Sequence, residues 1–317
     1  MYAIEAQNTV KQYKNGVQAL NELNLFVKEG EIFSLLGQNG AGKSTLIKIL
    51  STYLKPTSGK VFMFGKDICK NSDEVRFRIA CVAQQTSIDT HLTLEENMIF
   101  QSRLYKISKG EAKTKMETLI TDFGLEQYRK YPVSSYSGGV KRRLDIALNM
   151  MSNPQILFLD EPTVGMDIQS RMAMWQMMKK IRDDFGTTIF LTTHYLEEAD
   201  NLSDTICIMK DGKEVIQGTP FELRSYIRQD TLCVQFFTNT EAKQHLSKLG
   251  NLFSANDLFT KSKAVIINTQ DSRSDIEKVA HFLLEQNIPF AGVEILQPTL
   301  EDIFLRLTAR NEQGECE

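Results

Sequence analysis

The sequence predicts an α/β fold, a mostly parallel sheet with helices on its faces, followed by a small α+β domain of ferredoxin-like order. Three observations carry this. Strand-like apolar runs alternate with helical stretches as far as Arg228, the order that builds parallel sheets. A glycine-rich turn, Gly37-Gln38-Asn39-Gly40-Ala41-Gly42-Lys43-Ser44-Thr45, directly follows the apolar run Ile32-Phe33-Ser34-Leu35-Leu36. After Arg228 the pattern becomes β-α-β-β-α-β, the split unit of ferredoxin-like domains.

Taken in order, Ile4 to Val27 reads as two strands joined by a turn at Asn15-Gly16. Tyr13, just before that turn, could stack on an adenine or fill a sheet face, and its position alone leaves both open. The strand ending at Leu36 leads through the glycine-rich turn into a helix from Lys43 to Tyr53, which Lys55-Pro56-Thr57-Ser58-Gly59 must stop. Val61 to Phe64 resumes a strand. From about Ser87 to Met151 the pattern turns helical, and residues 87–151 read as a helical subdomain inserted between strands. Thr93-Leu94-Glu95-Glu96 and Ser108-Lys109-Gly110-Glu111 both have capping-box spacing, so helices are expected to begin at Thr93 and Ser108. Strands return at Ile156 to Leu159, Thr188 to Leu191, Ile206 to Met209 and Val215 to Ile216. Between the first two lies a helix near Ser170 to Phe185, whose Met174, Met178, Ile181 and Phe185 stripe reads as core.

In the tail, strand-like Thr231 to Phe237, helical Glu241 to Leu249, strands around Leu252 to Phe259 and Lys263 to Asn268, a helix opened by Ser274-Asp275-Ile276-Glu277, a strand around Val293 to Leu296 and a last helix from Leu300 to Leu307 complete the pattern. His245 and His281 sit isolated on the helices and have no partnered ligands. The chain's 317 residues suffice for two domains, assigned to 1–228 and 229–317.

The bulk numbers exclude more than they select. A formal charge of −3 gives no global electrostatic attraction to nucleic acid, so no nucleic-acid partner is expected. No apolar stretch is long enough to span a bilayer, and Met1-Tyr2-Ala3-Ile4-Glu5 lacks a signal pattern, so the chain is expected to stay in the cytosol. The five cysteines, Cys69, Cys81, Cys207, Cys233 and Cys316, are scattered, as suits a reducing compartment.

The chemistry concentrates in three motifs. Glycines in the Gly37 to Thr45 turn let backbone N–H groups face the α- and β-phosphates of a nucleotide, and the next helix adds its positive end. Lys43 would reach the β- and γ-phosphates and Ser44 would ligate Mg²⁺. The second motif, Ile156-Leu157-Phe158-Leu159-Asp160-Glu161, is a buried-type strand ending in two carboxylates, where parallel strands present their functional ends. Asp160 fits the Mg²⁺-binding acid, and Glu161, on the other side of the strand, is free to polarise an attacking water. The third is Tyr136-Ser137-Gly138-Gly139-Val140-Lys141-Arg142-Arg143. Its Ser-Gly-Gly turn before a helix is another nest of N–H donors, while Lys141 to Arg143 could be a solvated first turn.

In this order, Tyr13, Gly37 to Thr45, Gln84, Ser137-Gly138-Gly139, Asp160-Glu161, Val164-Gly165-Met166-Asp167 and Thr193-His194 resemble the nucleotide motifs of the ATP-binding cassette family over roughly residues 1 to 228. The resemblance implies a P-loop NTPase cassette with an antiparallel β subdomain and a helical subdomain. It also implies that Tyr13 stacks on adenine, that Gln84 contacts Mg²⁺ and the lytic water, and that His194 holds the γ-phosphate. Ser137 and Gly139 would act on ATP bound by a second subunit, with Asp167 at that interface. Within the family, the run from Ser137 to Asp145, the Thr193 to Asp200 segment and the tail Pro298-Thr299-Leu300-Glu301-Asp302-Ile303-Phe304 resemble the ATPase subunits of daunorubicin-type drug exporters. Implied cofactors are ATP and Mg²⁺, and implied partners are a second ATPase subunit and separate transmembrane permease subunits. The protein would then be peripheral on the cytoplasmic face of the membrane. There are departures. Gln38 replaces a usual proline, Ala83 stands where proline is frequent, and Val140 replaces a usual glutamine or methionine, removing a side chain from the expected interface. A soluble cassette ATPase acting on nucleic acid or ribosomes is the competing class, but only one phosphate loop and no basic arm are present. A regulatory protein with a dead nucleotide site is disfavoured by intact Lys43, Asp160, Glu161 and His194. An import role survives, because the membrane subunits would set direction.

Overall fold

The computed structural model describes residues 1–226, 230–250, 252–253, 258–269, 271–296 and 299–309. Two compact units divide between Pro220 and Phe221.

In the first unit, β1 (Tyr2–Gln12) and β2 (Gln18–Lys28) pair antiparallel across the Asn15-Gly16 turn. Next come β3 (Ile32–Leu36), α1 (Lys43–Leu50), β4 (Ser58–Met63), β5 (Lys66–Asp67), α2 (Ser72–Arg76) and β6 (Ile79–Val82). The helical stretch carries α3 (Leu94–Leu104), α4 (Lys109–Asp122) and α5 (Gly138–Met150). β7 (Ile156–Asp160), α6 (Ile168–Phe185), β8 (Thr188–Thr193), α7 (Leu196–Leu202), β9 (Thr205–Lys210) and β10 (Lys213–Gly218) follow.

Two sheets result. One has the order β2-β1-β4-β5 and is antiparallel. The other, β10-β9-β3-β8-β7-β6, is parallel except at its β10 edge. Its inner strands are buried on both faces, and strand alternation divides their side chains between two cores. Phe33, Leu35, Phe158 and Phe190 pack with α1 and the antiparallel sheet, with Phe190 5.1 Å from Phe33 and 5.6 Å from Phe158 between ring centres. Leu157, Leu159, Ile189 and Leu191 face the other way and pack with α5 and α6, including Met174, Met178 and Ile181. All the parallel strands therefore end at one edge, and that edge carries the site.

Local signals explain most element ends. Thr93 closes both halves of a capping box with Glu96, and Ser108 caps α4 by accepting from the Glu111 N–H. Helix α1 stops at Leu50 instead of Tyr53, because Thr52 adopts a left-handed φ of 62° ahead of the Lys55-Pro56 stop. The sequence reading passed over β6, α2 and α7, which are four, five and seven residues long and too short for a periodic signal.

The second unit begins with the rest of α8 (Pro220–Tyr226) and contains β11 (Asp230–Gln235), α9 (Asn239–Leu249), β12 (Leu258–Lys261), β13 (Ala264–Thr269), α10 (Ser272–Glu285), β14 (Gly292–Leu296) and α11 (Leu300–Ala309). The sheet order β12-β13-β11-β14, antiparallel throughout, is that of the ferredoxin-like split unit. Leu232, Val234, Val265 and Ile267 bury one sheet face against Ala242, Leu249, Val279 and Leu283 of the two helices. Helix α10 starts earlier than Ser274, because Asp271 is the cap and accepts from the Ser274 N–H. The expected boundary at Arg228 and residues 254–257 of the expected Leu252 to Phe259 strand lie outside the described residues. His245 is buried and stacks on Phe236.

Candidate nucleotide site

The loop from Gly37 to Thr45 leaves β3 at the carboxyl edge and enters α1. Gly42 is its tightest point. At φ 104° it caps α1, and a Cβ there would lie 2.3 Å from the Ala19 carbonyl oxygen and 2.8 Å from the Met209 methyl. Gly40 also has positive φ, 87°, but open space around it. Asn39 and Ser44 are exposed and Ala41 is buried. The Lys43 ammonium is buried and donates to the carbonyls of Gly37 (2.7 Å) and Gln38 (3.1 Å). Burial pushes its pKa down, while Glu161 and Asp160 pull it up. The Tyr13 hydroxyl lies 3.2 Å from the Thr45 hydroxyl, and Lys11 stands 5.7 Å over the Tyr13 ring.

The carboxylates come from β7. Asp160 pairs with Thr192 in the β7–β8 register, and the Thr192 hydroxyl donates to Asp160 Oδ1 at 2.6 Å while accepting from the Glu161 N–H at 3.1 Å. Glu161 does not continue the strand. It turns to φ 44°, which swings its carboxylate to 3.2 Å from His194 Nδ1. Gln84 is exposed two residues beyond β6, whose Val82 pairs in parallel with Leu159, so it follows β6 out at the same edge.

The Ser-Gly-Gly turn lies at the start of α5. Ser137 caps the helix by accepting from the Val140 N–H, and Gly138 and Gly139 form its first turn. A Cβ on Gly139 would stand 3.2 Å from the Ser170 hydroxyl. Ser170 in turn donates to Asp167, the cap of α6, from its N–H at 2.9 Å and its hydroxyl at 2.6 Å, and these bonds hold the Asp167 carboxyl below its usual range. Among the described residues, no hydrogen bond joins Ser137–Gly139 to the Gly37–Thr45 loop.

Val140 is buried in the core. One expectation for this helix needs correction: Arg142 is buried too, not part of a solvated turn. Asp145, one turn on, lies 3.9 Å from Arg142 with 4% of its side chain exposed. Burial raises its carboxyl from 3.8 to about 6, against the pull of Arg142 and a backbone hydrogen bond from Ser87. The folded chain thus holds this proton more tightly than the unfolded chain does. The stability tied to it is full below about pH 4 and is lost as pH rises through about 6. Asp145→Asn, which cannot ionise, should therefore gain about 2 kcal/mol relative to the natural chain between about pH 4.5 and pH 7. Denaturation midpoints of the two proteins at both pH values check this, and a pH-independent difference would refute it.

The phosphate loop, the paired carboxylates at the sheet edge, the facing histidine and the separate glycine turn define a nucleotide-hydrolysing cassette. The ABC transporter family model matches residues 20–164, and the chain belongs to that family as an ATP-binding ATPase subunit. It is 38% identical to the daunorubicin/doxorubicin resistance ATP-binding protein DrrA of Streptomyces peucetius, over 96% of this chain and 92% of that protein. Among solved structures it resembles cbiO1 of Clostridium perfringens, part of the ABC transporter complex cbiONQ, at 26% identity and TM-score 0.67 over 79% of this chain and 98% of that one. It also resembles a dimeric ATP-binding cassette in a post-hydrolysis state with ADP and Pi, at 28% identity and TM-score 0.60 over 68% and 98%. Cassettes of this family dimerise and work with transmembrane subunits. Among the described residues no helix is long and apolar enough to cross a membrane.

Thr192, Ser170 and Arg142 were not singled out from the sequence. Thr192 becomes visible only through the β7–β8 register, and Ser170 only through the packing of α6 on α5. Arg142 and Asp145 did carry a signal in their i, i+3 spacing.

Proposed function

We propose that this chain is the ATP-hydrolysing motor of an exporter of drugs or other amphipathic compounds, acting as a head-to-tail dimer that drives separate transmembrane subunits. The Glu161–His194 pair, placed at the same sheet edge as the Lys43 loop, carries the hydrolytic reading. Loop N–H groups of Gly40 to Thr45 hold the phosphates, and Lys43 exchanges its two loop carbonyls for β- and γ-phosphate oxygens. Tyr13, tethered near the loop through Thr45, offers its ring to adenine. Glu161 accepts the proton of the attacking water, and His194 donates a hydrogen bond to the γ-phosphate.

The donor set suits Mg²⁺. Ser44, Gln84 and one oxygen of Asp160 are hard ligands, Asp160 Oδ1 being occupied by Thr192. An ion held by so few protein ligands would be completed by phosphate and water. Bound there, Mg²⁺ would neutralise charge on the β- and γ-phosphates.

The Ser137-Gly138-Gly139 turn serves the nucleotide of the second subunit, and Asp167 lies at the interface between the two. Similarity to a daunorubicin/doxorubicin resistance protein supports the substrate class. The test is drug efflux from cells co-expressing this chain with a candidate transmembrane permease. Efflux should need both proteins and ATP, and its absence with an active ATPase would redirect the substrate assignment. His194→Ala should lower ATP turnover by about 10²-fold with little change in ATP affinity, as loss of one transition-state donor does. Single-turnover hydrolysis checks it.

A further inference from the structure

Arg142 lies five residues into the turn-and-helix motif that begins at Ser137, yet its guanidinium points to the sheet edge. It is 5% exposed. One N–H group donates to the Ala83 carbonyl, and another donates to the Asp160 carbonyl at 2.9 Å. These carbonyls belong to the peptide groups that lead into Gln84 and Glu161. Because Val82 and Leu159 are paired on adjacent parallel strands, the two oxygens sit side by side and one planar fork spans both.

We infer that Arg142 is a positioning residue that ties the Ser137–Gly139 turn to the peptides presenting Gln84 and Glu161, so that engagement of the turn by the partner's nucleotide sets the hydrolytic geometry of this chain's own site. This rests on the proposed head-to-tail reading of the turn. The geometry distinguishes the role from that of a core ion pair. A guanidinium held for its charge would turn its fork onto a carboxylate, but Asp145 stands 3.9 Å away and the donors go to the two strand-end carbonyls. The Asp160–Glu161 peptide is clamped on both sides, by Arg142 at its oxygen and by Thr192 at its nitrogen. That clamp holds Glu161 at a φ of 44°, a conformation costly for a residue with a side chain unless its surroundings impose it. Without the guanidinium the peptide can rotate, and the carboxylate leaves its place beside His194. Since α5 is a rigid rod from Ser137 to Arg142, displacement of the turn moves the fork.

The test uses the full-length protein at concentrations that support ATP turnover. Arg142→Met should lower kcat about 10- to 100-fold while ATP affinity, measured by direct binding, stays within about threefold, and the dependence of rate on ATP should lose its cooperativity. Arg142→Lys, with one charged donor group, should recover part of the rate. Because Arg142→Met strands Asp145, the paired variant Arg142→Met with Asp145→Leu replaces the ion pair by apolar groups and is expected to restore thermal stability. The inference requires that this stable double variant remain slow, and a kcat within about twofold of the natural chain would overturn it. Gly139→Asp separates this from the underlying reading. Loss of turnover in Gly139→Asp together with a fast double variant refutes only the role of Arg142, whereas normal turnover in Gly139→Asp refutes the head-to-tail reading and the inference with it.

Discussion

Glu161→Gln should lower ATP turnover by about 10²- to 10⁴-fold, or about 3–5 kcal/mol in the barrier, while ATP binds within a few-fold of normally. The substitution keeps the size and shape of the side chain and removes only its capacity to take a proton. Lys43, the loop N–H groups and the α1 terminus, proposed to hold the phosphates, are untouched, so affinity has no reason to fall. His194 keeps a hydrogen-bonding partner at the position of Glu161 Oε1, 3.2 Å from its Nδ1, so the local geometry survives. With hydrolysis blocked and the γ-phosphate retained, charge-assisted hydrogen bonds across the subunit interface persist, and the closed dimer should accumulate. Light scattering with Mg-ATP, beside steady-state turnover, reads both consequences. Turnover near the natural rate would remove Glu161 from the role of base. A strictly monomeric variant with ATP bound would instead remove the head-to-tail dimer.

What the sequence disclosed and what it hid follow from how far apart the cooperating atoms lie along the chain. The phosphate loop and the Asp160-Glu161 pair are contiguous, and each combines a buried strand with a chemically loaded end, so pattern and chemistry coincide. Thr192 is thirty-odd residues from the carboxylates it orients, and only strand order brings them together. Glu161 was expected to project from the far side of a regular strand. The structure gives it a left-handed turn that alternation cannot foresee. Lys141-Arg142-Arg143 looks like surface charge because three basic residues in a row conceal which of them faces inward. Arg142 is buried, and Arg143 turns its guanidinium to the Phe123 carbonyl at 2.9 Å. Tyr13 was ambiguous for the same reason: a residue just past the end of β1 has no sequence neighbour in the site, and its tie to Thr45 depends on how the antiparallel sheet lies over α1.

Gly42→Ala should be the most damaging of the loop's single-methyl additions, and the graded series around it tests how the loop is held. At φ 104° alanine is strained wherever it sits, at about 1–3 kcal/mol. Here its Cβ also meets the Ala19 carbonyl oxygen at 2.3 Å, a backbone atom of β2 between the paired residues Gln18 and Leu20, which cannot step aside as a flexible side chain would. The loop must move off β2, and the N–H groups aimed at the phosphates move with it. The melting temperature should fall by about 6 °C or more for a unit of this size, and ATP should fail to restore it, because the ligand stabilises only the loop geometry that the methyl group forbids. Gly40→Ala has positive φ but open space, so it should lose only about 2–4 °C and keep some ATP-dependent stabilisation. Gly138→Ala has ordinary φ and no neighbour within reach, so its stability should be unchanged. If Gly42→Ala matched Gly40→Ala in both readouts, the close approach of the loop to β2 would not be what shapes the phosphate site.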